Sequence, residues 1–366
     1  MDFDLSEDQK MLQRTVADFA KANGPDRFRR LRDADGTGWE KATWSQMGEL
    51  GWLAVPFSEA HGGFGGSLVE ASIVLTELGK ALVPEPYLAS VCLAGQALAF
   101  GANEAQRTAY LAPMMEGQTS LALAAFEAGA RFALDAIETR AERTGEGYTL
   151  NGAKAFVLNG HAADAIVVAA AIDGELGLFV VEADDAGLQR TTVRLFDGRR
   201  GGELRFEALK LPANRRLEEA PASKVLERAL ESASAAAVSE AVGVTKAMLA
   251  MTLDYLKTRE QFDSKIGAFQ ALQHRAVDMF VESELLASIA LEATMLAATA
   301  GEERIESIAA AKHQLAKGGL FIARQSIQLH GGIGVTDEAD IGLFFKRLHV
   351  LNTVGGDGDH HVRSLL

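Results

Sequence analysis

The chain has 366 residues, 48% of them apolar and 23% charged, which is too long for one ordinary hydrophobic core and has the composition of a globular enzyme with two or three domains. With 50 acidic against 36 basic residues and a net charge of −14, a general attraction to nucleic acid or anionic lipid is excluded as the organising interaction. A single cysteine, Cys92, rules out an intrachain disulfide or a thiolate metal cluster from this chain alone, and reads as a small buried hydrophobe on a helix.

Helix dominates the first stretch. Ser6 stands before Asp8, Gln9 and an apolar series at three- and four-residue spacing (Met11, Leu12, Val16, Phe19), which predicts an N-cap and an amphipathic helix. Gly51 and His61-Gly-Gly-Phe-Gly-Gly66 demand turns, and a further helix runs through Val69, Ile73, Val74 and Leu78 until Gly79 and Pro84-Glu-Pro86 break it. After Gly117 the pattern shortens to strand-length apolar runs, Leu121 to Phe126, Ile166 to Ala171 and Leu178 to Val181, separated by turn pairs such as Asn151-Gly152 and Asp173-Gly174. From Lys224 long Ala- and Leu-rich segments return, at roughly 222–258, 268–299, 303–330 and 340–352. Helices that are apolar on more than one side bury those sides against each other or against another subunit, so a bundle and an oligomer are expected. The resulting fold class is α+β, mostly α, with an N-terminal helical domain (1–116), a middle β-barrel-like domain (117–221) and a C-terminal four-helix bundle (222–366). An acidic, uncharged-run-free start without a secretory pattern, and no membrane-length apolar run free of charge, set the expectation of a cytoplasmic protein with no membrane partner. Arg199, Arg200 and Arg205 read as strand-edge or loop charges rather than an anion site.

Two C-terminal segments carry a resemblance to a known family. Tyr255-Leu-Lys-Thr-Arg259-Glu-Gln261-Phe262, continuing through Gly267, Phe269, Gln270 and Gln273 to Met279, and Gln328-Leu-His-Gly331-Gly332-Ile-Gly334, both resemble acyl-CoA dehydrogenase motifs. Gly152-Ala-Lys154-Ala-Phe-Val-Leu-Asn159-Gly160 resembles that family's middle-domain motif, and Pro56 to Gly66 its N-terminal glycine-rich turn, so the likeness runs nearly end to end. The chemistry fits: a guanidinium such as Arg259 offers paired donors to a flavin dinucleotide's pyrophosphate, and Gly331 and Gly332 let backbone N–H groups approach where a Cβ would block them. The resemblance implies FAD as cofactor, with Gln261, Phe262, Phe269, Gln270 and Gln328 on its adenosine side, serving the flavin of a neighbouring subunit. It further implies α,β-dehydrogenation of an acyl-CoA thioester, no metal, an electron-transfer flavoprotein as acceptor, and a homo- or hetero-oligomer, dimeric or tetrameric.

The same resemblance exposes departures. The family's Thr-Glu-Pro segment with a following Gly-Ser, which hydrogen-bonds the flavin, corresponds to Phe126-Glu127-Ala128-Gly129-Ala130-Arg131-Phe132, so both hydroxyl residues are phenylalanine. The run placed against the flavin ring reads Phe156-Val157-Leu158-Asn159; Phe156 retains an aromatic face, whereas Leu158 has no donor. The two positions where the family places its glutamate base fall on Gly355 and Ala233, leaving the catalytic residue unknown. Asp357 and Glu231, two residues away, are displaced candidates whose ordinary readings are a turn-forming Asp and a solvated charge. The pattern resembles the degenerate subunit of heteromeric acyl-CoA dehydrogenases; a self-sufficient homo-oligomer using Asp357, or a non-catalytic scaffold paralogue, are the alternatives.

Overall fold

The computed structural model describes residues 4–134, 136–299 and 301–365. It is mostly helical, with a helical N-terminal region, a curled sheet in the middle and a helical C-terminal region. Helix α1 (Glu7–Ala22) begins as its sequence dictates: Ser6 Oγ accepts from Gln9 N at 3.2 Å and Gln9 Oε1 accepts from Ser6 N at 3.0 Å, a capping box. Val16 and Phe19 are buried on its inner face, while Met11, expected to share it, is 61% exposed. Helices α2 (Pro25–Asp33), α3 (Lys41–Glu49) and α4 (Leu68–Lys80) follow, and Gly51, Gly62 and Gly65 make the intervening turns at positive φ. The apolar helix α5 (Leu88–Gly101) opens as a π-helix and buries Cys92.

The middle strands are β1 (Leu121–Ala124), β2 (Arg140–Thr144), β3 (Gly147–Leu158), β4 (Ala165–Ile172), β5 (Glu175–Glu182), β6 (Leu188–Arg194) and β7 (Arg200–Pro212). They form one sheet in the order β1-β4-β2-β3-β7-β6, with β5 pairing β4; β1 and β4 run parallel and the long β3/β7 pair antiparallel. Asp173 and Gly174, both at positive φ, form the tight turn from β4 to β5 that their residue types dictate. Asn151-Gly152, by contrast, is no turn. It sits inside β3 at a register shift against β7, with Gly152 at φ 142°, because the chain passes so close to Thr139 that a Cβ there would collide with its backbone and side chain.

The C-terminal helices are α6 (Ala222–Thr258), α7 (Gln270–Leu296), α8 (residues 302–330, interrupted by a π turn at Leu315–Gly319) and α9 (Ile341–Thr353), followed by a short α10 (Gly358–Arg363). Contacts divide the chain into two compact units, one of residues up to Asp33, Leu68–Val83 and Ser234 onward, the other of Ala34–Ser67 and Pro84–Ala233. In the second unit the core lies under the sheet, around Ile166, Val168, Phe179, Leu204 and Phe206. In the first, α4 and α6 meet at glycines: an added Cβ on Gly243 would strike the Thr76 carbonyl, and one on Gly79 the Glu240 carbonyl. A buried Arg347–Glu240 pair, with hydrogen bonds of 2.8 and 2.7 Å, ties α9 to α6. Helix α6 is long and apolar enough to cross a membrane by length and composition, but 72% of its most apolar window is buried within the protein.

Candidate functional site

Two segments far apart in sequence enclose a surface cavity of about 440 Å³ in the first unit. The first follows the end of α6, where β8 (Glu260–Gln261) and β9 (Ser264–Lys265) form a two-residue hairpin. Its turn residues, Phe262 and Asp263, have φ of 55° and 58°, the conformation that Asn-Gly adopts without strain and that a phenylalanine adopts only at a cost of about 1 kcal/mol or more. A strained turn holding a phenyl ring 87% exposed to solvent is a feature that folding alone does not favour. Phe269 packs edge-on against it, centroids 6.2 Å apart, and is itself 40% exposed.

The second segment is the end of α8. Gly331 lies at φ 63°, ψ −143°, a conformation only glycine holds without strain, and a Cβ built on Gly331 or Gly332 would meet no heavy atom within 4 Å. These glycines therefore keep a space open rather than permit internal packing. Beside them His330 stacks on Tyr255, centroids 4.6 Å apart, with Nδ1 held by the Ser326 carbonyl at 2.8 Å. Burial lowers its pKa, with the Ser326 carbonyl opposing the shift, so the ring is neutral at physiological pH.

Of the residues expected at a dinucleotide site, Arg259, Gln261, Gln328, Gly331 and Gly332 line this cavity together. Phe262, Phe269 and Gln270 do not; they lie on its flank, exposed. Arg275, which the motifs did not single out, lines it too. No Asp or Glu is among the lining residues, and among the described residues neither Arg259 nor Arg275 has an ion-pair partner. The cavity thus offers two guanidiniums and an open glycine backbone, the donor set that suits a phosphorylated ligand.

The middle-domain segments look different. Phe126 and Phe132 pack edge to face at 5.7 Å, and the Phe126 carbonyl accepts from Ala155 N at 3.0 Å. Glu127 accepts from Lys154 Nζ at 2.7 Å, Thr139 Oγ1 at 2.7 Å and the amides of Glu138 and Thr139. Burial alone would raise its pKa; the Lys154 and Thr139 bonds outweigh that and hold it down at about 2. Asn159 accepts from Trp39 Nε1 at 3.2 Å and donates to the Leu121 carbonyl at 3.3 Å. Phe156, at φ 53°, sits in the second irregularity of the β3/β7 pairing. Glu127, Lys154 and Asn159 of this motif are thus all engaged by other groups of the protein.

The displaced carboxylates take other roles. Asp357 is the N-cap of α10, accepting from His360 N at 2.8 Å, and Lys312, fully buried, donates to the Leu351, Asn352 and Val354 carbonyls just before it. Burial lowers the Lys312 pKa to about 7, and the Asp357 charge opposes this. Glu231 is half-buried with Oε2 shielded, so the reading of a solvated charge is corrected: the start of α6 is covered on several sides. Among the described residues no group of three or more His, Cys, Asp or Glu is placed to hold a metal ion. Arg200 donates to the carbonyls of Ala34 and Gly36, and Arg205 pairs with Glu207 at 2.7 Å.

Comparison with known proteins covers nearly the whole chain. The acyl-CoA dehydrogenase N-terminal, middle and C-terminal domain families match residues 6–118, 122–209 and 223–365. The chain is 31% identical over 319 residues to the acyl-CoA dehydrogenase FadE27 of Mycobacterium tuberculosis, covering 84% of this chain and 82% of that protein. Among solved structures it is similar to the ChsE4-ChsE5 complex of M. tuberculosis (27% identity, TM-score 0.90, 100% and 98% of the two chains). It is likewise similar to the Tcur3481-Tcur3483 steroid ACAD (28% identity, TM-score 0.89, 98% and 96%).

Proposed function

The chain belongs to the acyl-CoA dehydrogenase family, FAD-dependent oxidoreductases acting on the CH–CH bond of acyl-CoA, and from that premise we propose that it works as one subunit of a mixed oligomer. In this reading it contributes the nucleotide cradle to a flavin seated chiefly in a paralogous partner, which also supplies the base. Arg259 and the Gly331–Gly332 amides hold the pyrophosphate. Gln261 and Gln328 face the adenosine side, and the exposed Phe262, Phe269 and Gln270 reach toward the partner. FAD, when bound, accepts the hydride that leaves the acyl β-carbon.

One observation carries this reading: Arg259 and Arg275 have no ion-pair partner among the described residues and the glycine backbone beside them is open, while Glu127, Lys154 and Asn159 of the chain's own flavin-facing motif are committed internally and its hydroxyls are replaced by Phe126 and Phe132. Support also comes from the two heteromeric structures to which the chain is similar. Gly355 and Ala233 leave no carboxylate where the family keeps its base, and Asp357, as an N-cap, is already occupied, which disfavours a self-sufficient homo-oligomer. Two arginines at a cavity with no carboxylate among its lining residues disfavour a scaffold without cofactor. An electron-transfer flavoprotein as acceptor, a cytoplasmic location, and domain limits at 1–116, 117–221 and 222–366 belong to the same reading.

The test is to purify the chain alone and with a paralogue bearing the family's hydroxyls and glutamate, then measure bound flavin and acyl-CoA-dependent dye reduction. Flavin and turnover are expected only in the mixed complex.

A further inference from the structure

The cavity holds a second cation beside the expected Arg259. Arg275, on α7, lines it with Arg259, and neither has an ion-pair partner among the described residues. Arg275 Nη1 donates to Gln325 Oε1 at 3.4 Å, a long bond to a neutral amide that leaves most of its five donors open. In a chain of net charge −14, two guanidiniums facing one cavity with no acid among its lining residues repel each other, and an anion between them removes that cost. His330, stacked on Tyr255 and fixed by Ser326, also lines the cavity and brings no negative charge to it.

Resting on the nucleotide-cradle reading above, we propose that Arg275 is a second phosphate-binding residue, so that the cavity takes a nucleoside diphosphate in preference to a monophosphate. Arg259 and Arg275 each engage a phosphate, and the glycine amides complete the clamp. The selectivity resides in the second guanidinium, since a diphosphate brings more negative charge and a second phosphate group for it to engage.

Titration calorimetry of the full chain with ADP and AMP tests this in the native sequence, R275Q, R275K and R259Q. Arg275 is exposed, so its replacement should leave the thermal midpoint in place. Wild type is expected to bind ADP more tightly than AMP. R275Q should weaken ADP by about tenfold or more, bring the two ligands close to equal and leave AMP nearly unchanged, with R275K recovering part of the preference. R275Q with wild-type ADP affinity and wild-type preference would overturn the inference; if R259Q still loses ADP in that case, the cradle itself stands. A native chain that binds neither nucleotide, or binds both equally, overturns the selectivity, while the cradle reading is decided by the flavin content of the mixed complex.

Discussion

The cradle around Gly331 and the motif around Glu127 make opposite use of the same kinds of residue. In the middle domain a lysine, a carboxylate and a threonine satisfy one another, and Asn159 is held by Trp39 and the Leu121 carbonyl. In the helical unit two arginines and two glycines are left open at a cavity. Buried polar groups that are fully paired stabilise and specify a structure, whereas unpaired ones at a cavity are available to a ligand. The difference separates scaffold from binding surface within one chain, and it can be attacked from both sides.

The largest effect is expected on the scaffold side. Lys154→Met leaves Glu127 buried without its cation and should cost about 3–5 kcal/mol in chemical denaturation, with no change in ADP affinity of the folded protein; a silent substitution would mean the pair is not structural. On the binding side, Arg259→Gln should lower ADP affinity by about ten- to a hundredfold while leaving the denaturation midpoint in place. A variant that unfolds instead would make Arg259 part of the scaffold and erase the contrast.

Next in size is the acid limb of stability. Glu127 has a folded pKa of about 2, below its ordinary value, so its contribution is complete above an unfolded pKa near 4.5 and is lost as pH falls toward 2. Denaturation between pH 2 and 6 should show a loss of about 2 kcal/mol that Glu127→Gln flattens; an unchanged slope would place the proton uptake elsewhere. The smallest effect is assigned to Asp357→Ala, which should cost about 1 kcal/mol as a lost helix cap and leave turnover of the mixed complex intact. Abolished turnover with flavin retained would make Asp357 a base after all.

Much of this contrast was legible in the residues. The four long C-terminal helices fall close to their expected ranges, because helical spacing and flanking glycines define them over many turns. The exchange of hydroxyls for Phe126 and Phe132 needed only the motif. Asn151-Gly152 misled because the pair fits a tight turn and a bulge equally well, and the close approach of Thr139 that decides between them is a tertiary fact. Arg275 was missed because an exposed arginine on a helix is ordinarily a solvated charge. What marks it is the missing carboxylate around it, which no local pattern records. Glu231 fell to the same blindness in reverse, since burial of its helix face depends on what packs there.

The most direct test is the flavin content of the purified chain with and without its paralogue. The account predicts at most traces of FAD on the chain alone, stable FAD in the mixed complex, and its loss when only this chain carries Arg259→Gln. A homo-oligomer that retains FAD on every chain and reduces dye with acyl-CoA would contradict it.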